Sequence, residues 1–133
     1  MEYKVDRATA ENDVTRWLDE KRVKPAKRQQ NAEAIEALTD AIQSGTLELQ
    51  DDCSFKMNLD FPIPGDNEIP DLLFKHRLQV REIHAAMKGV KANDADGRVA
   101  ALIAALTGKP GGIVKLMDSN DYSVAQNIAV FFL

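Results

Sequence analysis

Two histidines and one cysteine are the residues of this 133-residue chain best suited to metal or nucleophilic chemistry. His76 and His84 lie eight positions apart, and Cys53, Asp71 and Glu82 are the nearest further ligand types. A zinc site needs several such groups at the spacings that known motifs repeat, and this spacing matches none of them. We therefore interpret both histidines as structural or surface residues and expect no metal site.

The single cysteine could in principle act as a nucleophile with a histidine as its base. A thiol becomes reactive when a cation or a helix N-terminus stabilises the thiolate. Cys53 instead follows two carboxylates, Asp51 and Asp52, in a predicted turn. We expect an exposed and unreactive thiol, which as the only cysteine cannot form an intramolecular disulfide.

Two short segments resemble ligand loops but lack the residues that bind. In Asn93–Gly97, alignment of the glycine with that of a calcium loop places Ala92 and Ile103 at ligand positions. Gly108–Gly112 has the glycines and lysine of a phosphate loop, without a preceding strand or a Gly-Lys-Ser/Thr ending. Because no catalytic constellation is found, we expect a protein that is not an enzyme and has no cofactor.

A basic segment, Arg16–Arg28, suggests an anion-binding patch and an alternative function as a small regulatory or nucleic-acid-binding module. The net charge of −4 and the pI near 5.2 oppose that function, because nucleic-acid binders usually carry a basic surface. Asp19 and Glu20 interrupt the segment, which favours a solvated helix face, and no nucleic acid is expected as a partner. Its basic residues are Arg16, Lys21, Arg22, Lys24, Lys27 and Arg28.

The composition, 44% hydrophobic and 29% charged, is typical of a soluble globular protein. No run of about 18 apolar residues is present, so no membrane partner is expected. The first thirty residues lack the apolar core of a secretory signal, and we expect a cytoplasmic protein.

Hydrophobic periodicity predicts the elements that position these residues. An apolar stripe predicts a helix over about residues 9–23, and a second helix runs from about Lys27 to Ser44, closed by Gly45. Strict alternation predicts strands over 46–50 and 55–61, and a further strand could cover 71–78. Three prolines in residues 62–70 predict an irregular loop.

The remainder is predicted to be helical. Helices are expected over about 79–90, from Asn93 or Asp94 to Thr107, and from the cap Asp118 to the end of the chain, with one further turn at 113–116. The predicted fold class is α+β and mostly helical, with a small antiparallel hairpin or three-stranded sheet between two helical halves. Residues 1–45 form an N-terminal helical segment and 46–133 a hairpin plus C-terminal helical domain, together one compact unit.

The chain end is unusually apolar. Phe131-Phe132-Leu133 either wedges into the core or contacts another chain, because exposing such side chains costs roughly 1.5–3 kcal/mol each. We name five candidate partner-binding residues: Tyr122, Ile128, Phe131, Phe132 and Leu133.

The C-terminal sequence pattern resembles the tail assembly chaperones of Mu-type contractile-tailed phages and prophages. The pattern is Leu102–Gly108, Ile113–Leu116, Asp118, Asp121-Tyr122 and Phe131–Leu133, and the resemblance covers roughly residues 46–133. It implies a non-enzymatic role in virion morphogenesis. The expected partners are the tape-measure protein and the tail-tube protein, with possible self-association, in the bacterial host cytoplasm and not in the mature virion.

Overall fold

The structure, a computed structural model, describes residues 4–133. Within that range helices account for more than half of the residues, and a three-stranded antiparallel sheet lies between two helical halves. The predicted α+β fold class is thereby confirmed. The elements are α1 (Arg7–Glu20), α2 (Pro25–Gln30), α3 (Ala32–Ser44), β1 (Leu47–Leu49), β2 (Phe55–Ile63), β3 (Ile69–Phe74), α4 (Val80–Met87), α5 (Ala95–Thr107), α6 (Gly111–Val114), α7 (Ser119–Ala129) and a 3₁₀ turn (Val130–Phe132).

The first helix forms as its apolar stripe predicts. The Asp6 side chain caps it by accepting a 2.7 Å hydrogen bond from the Thr9 backbone N–H. The stripe is buried, and it includes Trp17, the only tryptophan of the chain. The helix ends at Glu20, and Arg22 then adopts a left-handed φ of +59° that turns the chain toward α2.

The single helix predicted from Lys27 to Ser44 is wrong, because the structure has two helices there. Asn31 leaves helical geometry, with φ −115° and ψ 31°, and its side chain donates to the Lys27 carbonyl. An asparagine side chain competes for backbone groups in this way, which interrupts a helix. Gly45 closes α3 with φ +84°, as predicted for a left-handed residue.

The sheet has the order β1-β2-β3, with Leu47 opposite Met57 and Met57 opposite Leu72. Alternate residues face the core in β1, in β2 as far as Leu59 and at the end of β3, so the period-two pattern is confirmed there. Phe61, predicted on the same face of β2, is 53% exposed instead, because the register breaks between Asn58 and Ile63. The third strand ends at Phe74 rather than near Leu78, and the next backbone N–H, that of Lys75, donates to the Leu106 carbonyl of α5.

The irregular loop predicted over 62–70 is confirmed only for residues 64–68, since β2 continues through Pro62 and β3 includes Pro70. The β2–β3 pairing breaks its register between Asn58 and Ile63, and a proline within such a bulge removes no ladder hydrogen bond. Pro70 is tolerated because β3 is an edge strand. Only residues 64–68 connect the strands.

Helix α5 begins and ends at the predicted signals, and α7 begins at its predicted cap. Two ends differ from the prediction, since α4 ends at Met87 rather than near residue 90, and α7 ends at Ala129, before the 3₁₀ turn, rather than at the chain end. Asp94 caps α5 through the Gly97 N–H, Gly108 closes it with φ +68°, and Asp118 caps α7 through the Asn120 N–H. One hydrophobic core joins residues of α1, α3, the sheet, α5 and α7. Helix α4 lies outside that core, packed against α5.

Candidate protein-binding surfaces

Helix α4 is amphipathic, yet none of its residues is buried. Val80 is 67% exposed, and Ile83 and Met87 are half-buried. Its start is fixed by a capping box, in which the Glu82 side chain accepts from the Gln79 N–H. The helix is thus ordered by local hydrogen bonds and by contact with α5, and part of its apolar side remains accessible.

A groove lies between α4, α5 and α6, and we call it the small-residue groove. It has a volume of about 720 Å³, and most of its lining is alanine or glycine. Alanine and glycine side chains are too short to fill the space between the helices, so the groove stays open to larger side chains from outside. Representative lining residues are Ala86, Gly89, Ala100, Ala104, Ala105 and Gly111.

The region around this groove is basic, although the chain as a whole is acidic. Residues 75–115 contain eight basic and three acidic residues, a net charge of +5, and the rest of the chain carries nine basic and eighteen acidic residues, −9. Lys109 and Lys115 line the groove itself, and neither forms an ion pair within residues 4–133. Two carboxylates also line the groove: Glu82 is paired with Lys75 at 3.0 Å, and Asp94 caps α5 by accepting from the Gly97 N–H.

A second apolar cluster surrounds Trp17 and is filled by the end of the chain. The Phe131 ring meets the Trp17 ring edge-on at 5.5 Å between centroids, and the Phe55 ring lies 5.1 Å away on tilted planes. Lys21 Nζ lies 3.7 Å from the centroid of Phe132 and 4.9 Å from that of Trp17, a cation–π arrangement. These contacts hold residues 130–133, the C-terminal turn, onto α1.

The five candidate partner-binding residues are therefore split between core and surface. Ile128 and Phe131 are buried, Tyr122 and Phe132 are half-buried, and Leu133 is 61% exposed. In the folded chain only the last three can touch a partner. Their role in binding stays a prediction, and the structure does not gather them into one concave surface as it does the residues of the groove.

Two titratable groups beside Trp17 have lowered pKa values because they are partly buried. Burial, with the nearby charges of Arg77 and Lys27, lowers the pKa of Lys21 to about 7. Burial likewise lowers the pKa of His76, whose Nε2 lies 3.1 Å from the Trp17 carbonyl oxygen. The Lys21 ammonium also donates to the His76 carbonyl, so both side chains tie the end of β3 to α1.

Most cations of the basic segment are engaged within the chain. Arg28 pairs with Asp19 at 2.8 Å and donates to the Val23 carbonyl, and Lys27 Nζ donates to the Leu133 carbonyl at 2.9 Å. Lys21 is engaged as described above, and Arg16 approaches the Gln50 carbonyl at 3.4 Å. Arg22 and Lys24 are exposed, so the segment is not an uninterrupted row of cations facing solvent.

Asp121 has a role that the sequence did not reveal. It is 1% exposed, and its two carboxylate oxygens accept hydrogen bonds from the backbone N–H groups of Asp60 at 3.1 Å and Phe61 at 3.0 Å. These two donors belong to the bulge in β2, which removes them from the strand ladder. Asp121 lies in the first turn of α7, so its carboxylate faces the positive end of the helix dipole as well as satisfying the bulge.

The exposed thiol predicted at Cys53 is wrong, because the side chain is buried, at a left-handed backbone position with φ +66°. Within residues 4–133 it makes no hydrogen bond with His76, and no group of three or more His, Cys, Asp or Glu side chains is placed to hold a metal ion. The segments Asn93–Gly97 and Gly108–Gly112 are helix boundaries, as predicted.

Across the described part of the chain, every helix is too short or too polar to cross a bilayer. Comparison with models of protein families, with curated proteins and with solved structures found no match.

Proposed function

We propose that this protein is a non-enzymatic phage tail assembly chaperone, which binds the tape-measure protein, tail-tube subunits or both during tail morphogenesis in the bacterial host cytoplasm. The proposal rests on the resemblance of the C-terminal sequence pattern together with one structural observation. That observation is the small-residue groove, one side of which is the amphipathic and partly exposed helix α4.

A groove between helices, lined by small side chains, suits an amphipathic helix. Large apolar side chains of the incoming helix fill the space that alanine and glycine leave open. A tape-measure protein, as a long helix, offers such side chains repeatedly, and a chaperone needs to cover them without chemistry. The protein acts by binding alone, so it needs no catalytic group or cofactor.

The test is co-expression of the tagged chain with its genomic neighbours, with mass spectrometry of the proteins that co-purify. We expect enrichment of a long helical tape-measure protein. Ala105→Trp, which places a large ring in the groove, is expected to reduce that enrichment at least tenfold. Ala8→Trp, on the exposed side of α1, is the matched control and should retain it.

Recovery of no tape-measure or tail-tube protein with the folded wild-type chain would overturn the proposal. Equal recovery with wild type and with Ala105→Trp would leave the chaperone function standing and move the binding surface elsewhere, with the exposed part of the C-terminal turn as the next surface to alter.

A further inference from the structure

The hairpin between β2 and β3 ends in an apolar tip, residues 60–68. Phe61 is 53% exposed, and Pro62 and Pro64 beside it are exposed as well. A group of neighbouring exposed apolar side chains, rather than a single one, is typical of a contact surface. The tip is also acidic, because residues 60–68 contain three carboxylates, Asp60, Asp66 and Glu68, and no basic residue.

The backbone at this tip is held in place before any partner arrives. Asp121, buried in the first turn of α7, accepts the backbone N–H groups of Asp60 and Phe61. Pro62 adds a fixed φ immediately after Phe61. A contact surface that is already ordered loses little conformational freedom on binding, which favours association.

The small-residue groove is complementary to the tip in both shape and charge. It is concave and lined by alanine and glycine, whereas the tip is convex and carries a phenylalanine and prolines. The groove region has a net charge of +5. Its lining holds Lys109 and Lys115, and the two carboxylates there are engaged, Glu82 with Lys75 and Asp94 as the cap of α5, whereas the tip is acidic. The two surfaces have no residue in common, so one copy can use both at once.

We propose that the β2–β3 tip of one copy docks into the small-residue groove of a second copy. Phe61 enters the space between α4 and α5, and the carboxylates of the tip face Lys109 and Lys115. This contact joins two different surfaces. In a pair of copies, one therefore still has a free groove and the other a free tip, so further copies can add to form rings or open chains. The docking does not depend on the proposed function, although a helix in the groove would compete with it.

A second copy is the occupant because both complementary surfaces, and the opposite charges they carry, are present on this chain. A tip in a groove buries less than the roughly 1,200 Å² of a stable complex, so we expect weak association. Opposite charges make it sensitive to salt, since screening shortens their range.

The first experiment is sedimentation velocity of the purified full chain from about 10 µM to about 1 mM. We expect the sedimentation coefficient to rise with concentration at low ionic strength and to rise less at about 0.5 M salt. Phe61→Ser and the pair Lys109→Glu/Lys115→Glu should each weaken association at least tenfold. The matched controls are Leu73→Ser, another exposed apolar side chain, and Lys24→Glu/Lys56→Glu, which makes the same change of charge outside the groove.

The decisive experiment mixes two variants that cannot self-associate. Phe61→Ser has an intact groove, and Lys109→Glu/Lys115→Glu has an intact tip, so an equimolar mixture should form a dimer that cannot extend. Circular dichroism of each variant verifies its fold, and Asp66→Lys/Glu68→Lys replaces Phe61→Ser if that variant does not fold.

Three results would overturn the proposal. The first is a wild-type chain that stays monomeric across the concentration range. The second is a variant mixture that stays monomeric. The third is a groove that binds a DNA or RNA duplex, lost in Lys109→Glu/Lys115→Glu, in a chain that does not self-associate.

Discussion

The cluster around Trp17 and the small-residue groove are both apolar, but they differ in the size of their side chains. Around Trp17 the rings of Phe55, Phe131 and Phe132 fill the space between α1, the sheet and the C-terminal turn. Between α4, α5 and α6 the facing side chains are mostly alanine and glycine, and an open volume of about 720 Å³ remains. Large side chains close a surface onto itself, whereas small ones leave it available to another molecule.

A contact surface is usually assigned from sequence to the most apolar stretch, but here the groove residues are the more accessible surface. The most apolar stretch lies at the chain end, and it packs largely against other residues of the same chain, since Phe131 is 4% exposed. The groove residues look like ordinary helix formers in the sequence, and they become a surface only when α4 and α5 pack side by side. The comparison predicts that substitutions in the aromatic cluster change mainly stability and that substitutions in the groove change mainly association.

The largest effect is expected from Phe131→Ala. Removing a buried ring that packs edge-on against Trp17 leaves a cavity and should lower the free energy of unfolding by about 3–5 kcal/mol. The measurement is urea unfolding followed by far-ultraviolet circular dichroism. Leu133→Ala, two residues away and exposed, should change stability by less than about 0.5 kcal/mol. Equal effects of the two substitutions would mean that the C-terminal turn does not pack onto α1.

Most of the secondary structure could be predicted because its signals are local. Asp94 and Asp118 cap helices, Gly45 and Gly108 end them, and alternation along residues 55–59 marks a buried strand face. Each of these depends on neighbours within a few positions, so spacing alone is sufficient.

The errors arose where a distant element decides the local structure. Pro62 and Pro70 are compatible with strands only because of a bulge and a sheet edge, which depend on the pairing of β2 with β3. The burial of Cys53 and the hydrogen bonds of Asp121 likewise depend on elements far along the chain. The groove could not be predicted for the same reason, since its walls belong to three separate helices, α4, α5 and α6.

The second largest effect is expected from Asp121→Asn, which tests how the acidic tip is held. An amide has one acceptor oxygen, so one of the N–H groups of Asp60 and Phe61 loses its partner. We therefore expect the free energy of unfolding to fall by about 1–3 kcal/mol. Urea unfolding gives the change in stability, and amide exchange at Phe61 reports the bulge. Asp118→Asn in the same helical turn is the matched control, because asparagine caps helices as well as aspartate does. An unchanged exchange rate at Phe61 would contradict this role of Asp121.

Lys21→Met tests the edge of the aromatic cluster through its pH dependence. The pKa of Lys21 is about 7 in the folded chain and near 10.5 when the side chain is free, so between these values the unfolded state binds more protons. The free energy of unfolding of the wild type should therefore rise with pH from about 7 to about 10.5, and Lys21→Met should remove that rise. Since the side chain is partly exposed, we expect the free energy of unfolding to rise by roughly 1–2 kcal/mol, well below the value that the full shift of the Lys21 pKa would give.

The measurement for Lys21 is urea unfolding at several pH values in that window, with Lys24→Met as the control. Lys24 is exposed, so its substitution should leave the slope against pH unchanged. The pKa of His76 is lowered from its ordinary value of 6.5, so its titration changes the free energy of unfolding only below this pH window. Identical slopes for wild type and Lys21→Met would show that the cation over Trp17 and Phe132 is not desolvated.

The smallest effect is expected at the rim of the groove, from Gly111→Ala. A Cβ added to Gly111 meets no atom within 4 Å, and the residue begins α6, so alanine should raise the free energy of unfolding by about 0.4–1 kcal/mol. Gly108→Ala, equally free of contacts but at φ +68°, should lower it by about 1 kcal/mol, because an L-residue is strained there. The measurement is thermal unfolding of both variants. Changes in stability of opposite sign would show that backbone geometry, rather than packing, determines the structure at this end of the groove. In this respect it differs from the aromatic cluster, where packing decides.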